Sequence, residues 1–201
     1  MRDDEAIRAR GRASEYTPYG DSNRSTSEGK PIKAVIFDIG DVVTKPKYGW
    51  AYKRVMRKLD GALSRISGED NPLRAAVIRQ RRAYRLNDDV MALIQKLHAN
   101  GYLTPSITNT PSERFAWDGR LSDGRPFDGV VYSSKVGLRK PDRRIYELAL
   151  RRFRLQPGEC VFVDDKEENL APAAAMGMRT VLFKNARQLK GELQKLGVRV
   201  G

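Results

Sequence analysis

The chain has 201 residues, 40% hydrophobic and 31% charged, which suits one soluble core domain with a modest insertion and excludes a repeat array. Its 38 Lys and Arg against 25 Asp and Glu give a formal net charge of +13, which points to an anionic partner only where the charge is concentrated. The longest apolar stretches, such as Ala34 to Phe37 and Val161 to Val163, are far shorter than the roughly 20 residues of a bilayer crossing, and with no apolar run before position 30 neither a membrane span nor a secretory signal is expected.

Residues 1 to 30 hold six basic and six acidic side chains with little apolar periodicity, the composition of a disordered leader. From Pro31 the texture changes, and Ile32 to Phe37 reads as a buried strand that ends at Asp38. Residues 44 to 87 follow with 12 basic side chains against Asp60, Glu69 and Asp70, so most of the charge excess lies here. Trp50 to Asp60, stopped by Gly61, and Asn71 to Leu86, with Pro72 in its first turn, read as two helices of a hairpin insertion. Lys45, Lys47, Lys53, Arg54, Arg57, Lys58, Arg79, Arg81, Arg82 and Arg85 alternate there with Tyr48, Trp50, Tyr52 and Tyr84, a mixture able to hold phosphates and stack on bases or sugars.

Asp89 to Asn100 reads as an amphipathic helix stopped by Gly101, with Val90, Leu93, Ile94 and Leu97 on one face. A strand over Tyr102 to Thr108 comes next, its register disturbed by Pro105, which has no N–H to donate. Trp117 is expected to pack. A helix over Pro141 to Phe153, a strand over Cys160 to Val163, a helix over Glu167 to Met176 and a strand over Arg179 to Phe183 complete the pattern. One cysteine, Cys160, and one histidine, His98, exclude an internal disulfide and a Cys/His zinc site, and fit a reducing, cytoplasmic location.

Strands alternating with helices predict an α/β fold, a doubly wound parallel sheet whose functional loops lie beyond the strand C-termini. Residues 31 to 43 and 88 to 201 would form the core and residues 44 to 87 a reduced basic helical cap. Three polar groups stand where this topology puts function: Asp38 and Asp41 after the first strand, Thr108-Asn109 after the second, and Asp164-Asp165 after Val161-Phe162-Val163. Lys140 lies in Leu138-Arg139-Lys140-Pro141, just ahead of a helix. In this order the set, with Asn169, resembles the haloacid dehalogenase-like (HAD) hydrolase superfamily over residues 32 to 184. It looks most similar to the small phosphatases fused to soluble epoxide hydrolases or acting on sugar 1-phosphates.

The residue types support phosphate chemistry on their own. A carboxylate nucleophile attacks an anionic phosphate only if a cation offsets the repulsion. Asp38 offers the carboxylate, and Asp38, the Gly40 carbonyl and one of Asp164 or Asp165 would hold Mg²⁺, which takes few protein oxygens and keeps several waters. Lys140 supplies a point charge, while the Thr108 hydroxyl and Asn109 donate to the phosphoryl oxygens. The resemblance implies the same roles, with an aspartyl-phosphate on Asp38 and Asp165 rather than Asp164 on the metal. It also implies a general acid two residues after the nucleophile, where this chain has Gly40; Asp41 is the residue placed to substitute. A small phosphorylated or polyanionic substrate is expected. The alternative is a weak or inactive site on the same fold, with the basic cap binding an anionic partner such as nucleic acid. A metal-free dehalogenase fits the adjacent acids Asp164 and Asp165 poorly. In receiver domains the acidic pair comes early in the chain, whereas here it comes last. Oligomeric state is left open by the sequence.

Overall fold

The computed structural model describes residues 30–46, 49–66, 71–73, 84–109 and 127–201. Strand β1 (Ala34–Phe37) is followed by a wide turn, Ile39–Val43, and then β2 (Thr44–Pro46), helix α1 (Gly49–Ile66) and β3 (Tyr84–Leu86). Helix α2 (Asp88–Ala99), β4 (Ser106–Thr108), β5 (Val130–Tyr132), the short α3 (Ser133–Val136) and α4 (Arg143–Phe153) come next. The chain then forms β6 (Cys160–Asp164), α5 (Glu167–Ala175), β7 (Arg179–Leu182) and α6 (Ala186–Lys195).

The main sheet has the order β5-β4-β1-β6-β7 and all its pairs are parallel. Side chains alternate across it, and both faces are covered, which is why β1 and β6 read as unbroken apolar runs. Val35, Phe37, Val161, Val163 and Val181 pack with α2 and α6 through Val90, Ile94, Leu97, Leu189 and Leu193. Ala34, Ile36, Ile107 and Phe162 pack on the other face with α4 and α5 through Ile145, Tyr146, Ala149 and Ala173. Strands β4 and β5 are added on one side of β1 and β6 and β7 on the other, so the crevice beyond the ends of β1 and β6 is the switch point of the sheet. Among the described residues no helix is long and apolar enough to cross a membrane.

Two expectations are corrected in the insertion. Gly61 does not end a helix; α1 runs through it to Ile66, because a solvent-facing glycine costs a helix only about 1 kcal/mol. The second helix does not reach Leu86, since Tyr84–Leu86 is the strand that pairs antiparallel with Thr44–Pro46. The insertion therefore leaves and re-enters the core through a two-stranded ladder. Of the expected second helix, Pro72 and Leu73 are helical, and its centre, with Arg79, Arg81 and Arg82, lies outside the described residues, as do Lys47, Tyr48, Trp117 and the leader.

Pro105 shortens β4. The Phe37 N–H donates to the Pro105 carbonyl at 3.0 Å and the Val35 N–H to the Leu103 carbonyl at 2.9 Å, so the ladder keeps its acceptors there while residue 105 has no N–H to return. The sequence reading also passed over β5, α3 and α6. Helix α6 is anchored by the fully buried Leu189 and Leu193 and capped by Asn185, whose side chain accepts from the Gln188 N–H. Leu193→Ala is expected to lower unfolding free energy by about 2–5 kcal/mol, measured by urea denaturation, while leaving the far end of β1 undisturbed.

Candidate active site

Asp38 ends β1 in an extended conformation, and its N–H donates to the Val163 carbonyl at 2.9 Å. The tie holds the chain beside β6 until Asp38 lies next to Asp164. Phe37 pairs with Ser106, and the Ser106 hydroxyl donates to the Phe37 carbonyl at 2.8 Å. Asp38 and Thr108 thus follow one and two residues beyond that pair, and Thr108 is fully buried.

Lys140 arrives from the loop after α3, which ends at Gly137 in the left-handed region, φ 69°. Its ammonium lies 2.8 Å from Asp38 Oδ1 and 2.7 Å from Asp164 Oδ2, and 5.5 Å from the centre of the Phe162 ring. The Asp38, Lys140 and Asp164 residues are 7%, 2% and 0% exposed, so the charges act at short range with little water between them. Burial opposes the ammonium, but the two carboxylates outweigh it and raise the Lys140 pKa. Burial, against the pull of Lys140, holds the Asp38 carboxyl above its usual range, with the Asp164 charge adding to the shift.

Asp164 has few commitments left to make. Its Oδ1 accepts from the Lys166 N–H at 3.0 Å and from Asn169 Nδ2 at 2.9 Å, and its Oδ2 from Lys140. Asn169 is held in turn by Tyr146, a fully buried phenol that donates to the Asn169 carbonyl at 2.7 Å. The Tyr146 ring meets Phe162 edge to face, centroids 5.4 Å apart. Sequence reading missed Tyr146, because a tyrosine on the apolar face of a helix carries no mark of what its hydroxyl reaches.

Asp165 differs from its neighbour. Burial first, then the charges of Asp38, Asp164 and Asp41, push its carboxyl up to about 6. One ligand atom from each of Asp38, Asp164 and Asp165 lies within 4.8 Å of the others. Three carboxylates against one ammonium leave a surplus of negative charge, and an all-oxygen donor set of this size fits a hard divalent cation. Asp38, Asp164 and Asp165 are the carboxylates close enough together to hold it.

The turn after Asp38 is unusual in where it places its residues. The Thr44 N–H and hydroxyl both donate to the Ile39 carbonyl, the hydroxyl at 3.0 Å. Gly40 has φ −66° and ψ 123°, open to any residue, whereas Asp41 has φ 63° and ψ −1°, the left-handed region. Asn109 is brought to the site but engages the main chain of Lys140, accepting from its N–H at 2.9 Å and donating to its carbonyl at 2.8 Å.

The structure brings Asp38, Lys140, Asp164 and Asp165 together, and comparison with known proteins places the chain in a family. A model of haloacid dehalogenase-like hydrolases matches residues 68–177. Flavin mononucleotide hydrolase 1 of Arabidopsis thaliana is 29% identical over 135 residues, 67% of this chain and 55% of that protein. A sesquiterpene phosphatase of Aspergillus oryzae is 35% identical over 95 residues, 43% of this chain and 45% of that protein. The chain thus spans about half the length of these curated relatives. A HAD family enzyme of Bacteroides thetaiotaomicron, crystallised with magnesium and inorganic phosphate, shares the fold at TM-score 0.58 and 17% identity, over 77% of this chain and 95% of that one. With the parallel sheet, the ordered acids and the buried lysine on the same crevice, the chain belongs to the haloacid dehalogenase-like hydrolases.

Proposed function

We propose that this hydrolase is a Mg²⁺-dependent phosphatase that transfers the phosphoryl group of a small phosphorylated substrate to Asp38 and then to water. The observation that carries the reading is the Lys140 ammonium held at 2.8 and 2.7 Å between Asp38 and Asp164, beside a third carboxylate on Asp165. The phosphatase relative and the hydrolase named for flavin mononucleotide support it.

An Asp38 carboxylate oxygen forms a bond to phosphorus as the bond to the leaving oxygen breaks, giving an aspartyl-phosphate; water then attacks phosphorus and returns the carboxylate and inorganic phosphate. Lys140 holds Asp38 in its reactive rotamer and offsets charge on the phosphoryl oxygens, and Thr108 donates a hydrogen bond to them. A cation held by Asp38, Asp165 and the Gly40 carbonyl would neutralise the repulsion between the carboxylate and the phosphate. The leaving oxygen needs a proton that Gly40 has no side chain to give. Asp41 is the proposed donor, since it lies near enough to Asp165 for the two charges to interact. Residues 44 to 87 would serve as the reduced cap over this crevice, with exposed Arg54, Arg57 and Lys58 on α1 favouring a polyanionic substrate.

Asp38→Asn is expected to reduce Mg²⁺-dependent hydrolysis of an aryl phosphate to background, measured by product release. Hydrolysis by neither wild type nor variant would overturn the phosphatase reading and leave the basic insertion as an anion-binding surface. Asp41→Asn should spare the aryl ester, whose leaving group needs no acid, and slow an alkyl phosphate by about 10²- to 10⁴-fold. Equal effects on both esters would remove Asp41 from the role.

Asp165 gives a second test. Its folded-state pKa of about 6 lies above the unfolded value of ~3.9, so its contribution to stability is fully present below ~3.9 and is lost as pH rises through about 6. Without a divalent cation, Tm should fall across that window. Mg²⁺ competes with the proton, so it should raise Tm more at about pH 7.5 than at about pH 5; a shift of the same size at both would remove Asp165 from the cation site.

A further inference from the structure

We propose that Asn109 is a positioning residue that sets the place of the Lys140 ammonium, acting through the main chain of Lys140 and not through the substrate. Asn109 Oδ1 accepts from the Lys140 N–H at 2.9 Å, and Asn109 Nδ2 donates to the Lys140 carbonyl at 2.8 Å. Both polar groups of one residue are held by one planar amide, as a neighbouring strand would hold them. Holding the N–H and the carbonyl together fixes φ and ψ of residue 140, and with them the direction in which its side chain leaves the backbone.

That direction matters because Lys140 has four methylene groups between backbone and charge, yet its ammonium must meet Asp38 and Asp164 at once. A long flexible side chain reaches a fixed point with small entropy loss only if its origin is fixed. The amide of asparagine is suited to this by composition. Aspartate would accept from the N–H but cannot donate to the carbonyl, and serine has one hydroxyl for two groups 31 residues away along the chain.

The position of Asn109 adds a second consequence. It directly follows Thr108, the last residue of β4, so Thr108 is tied to the Lys140 main chain through one peptide bond and the two hydrogen bonds of Asn109. The sequence reading gave Asn109 a direct hydrogen bond to phosphate; with its oxygen and one amide hydrogen engaged on Lys140, the clamp is the role that the geometry supports.

The rate part of the test rests on the phosphatase reading; the exchange part does not. In Asn109→Ala, kcat for an aryl phosphate should fall by about 10²-fold with KM for the ester and the Mg²⁺ concentration for half-activation changed less than about threefold, since neither Asp38 nor Asp165 is touched. Lys140→Ala should lower kcat by more, and adding Asn109→Ala to it should cause no further loss, because a residue acting only through Lys140 has nothing left to position. Independent, multiplying losses would show that Asn109 acts on the substrate itself and overturn the proposal. Hydrogen exchange of the Lys140 amide decides without any activity: Asn109→Ala should speed its exchange at least about tenfold with the amides of β6 unchanged. Exchange at Lys140 that stays at the wild-type rate would overturn the clamp even if wild-type protein hydrolyses nothing tested.

Discussion

The site depends on keeping one ammonium dry between two carboxylates. Moving Lys140 out of water is costly by itself, and a buried ion pair seldom repays desolvation with net stability. What makes it tolerable here is that each partner has further donors or acceptors. Asp164 takes three donors in all, and the Asp38 backbone is tied to Val163. Lysine suits this geometry because its charge is nearly a point that can lie between two oxygens, whereas a guanidinium would present a planar fork too wide for the gap. The arrangement holds function at the expense of stability, as sites of this kind commonly do.

From that constraint the division of labour between the adjacent acids follows. Asp164 is turned inward, where the Lys166 N–H and Asn169 fix it from the side of α5, Tyr146 on α4 holds the Asn169 carbonyl, and the Lys140 ammonium donates to its other oxygen. Asp165 is only partly buried, yet burial and then the charges of Asp38, Asp164 and Asp41 raise its pKa. Two identical side chains in sequence face different environments because β6 ends at Asp164, and the strand's alternation sends the next residue to the other side. Beyond the ends of β1 and β6, Asp164 is fully buried while Asp165 keeps partial access to solvent.

Much of this could be read from sequence, and the reasons are local. The runs Ala34–Phe37 and Cys160–Asp164 are buried on both faces, so they stand out as apolar, and the acids that end them fall at the sheet edge without further information. The elements that went unread have weak local signals. Strand β5 has three residues, and α6 has only Leu189 and Leu193 fully buried in a highly charged helix. The pairing of Thr44 with Leu86 joins segments more than 40 residues apart, and Lys45, Pro46 and Arg85 do not look like strand residues. Tyr146, and the partner of Asn109, were hidden for a different reason: hydrogen bonds to a main chain depend on which loops meet, and no composition or spacing encodes that.

The turn after the nucleophile shows the same logic at single-residue scale. Glycine is expected where the backbone enters the left-handed region, because other residues meet a clash there. Here Gly40 stands at an ordinary φ of −66° and Asp41 occupies the left-handed position at 63°. Backbone preference alone would exchange the two residues. Aspartate tolerates that region better than most side chains, but glycine would fit it with less strain. The absence of a side chain at 40 is therefore not required by the turn, and the carboxylate at 41 is kept against a local conformational cost. The left-handed step leaves the Asp41 carboxylate near enough to Asp165 for their charges to interact.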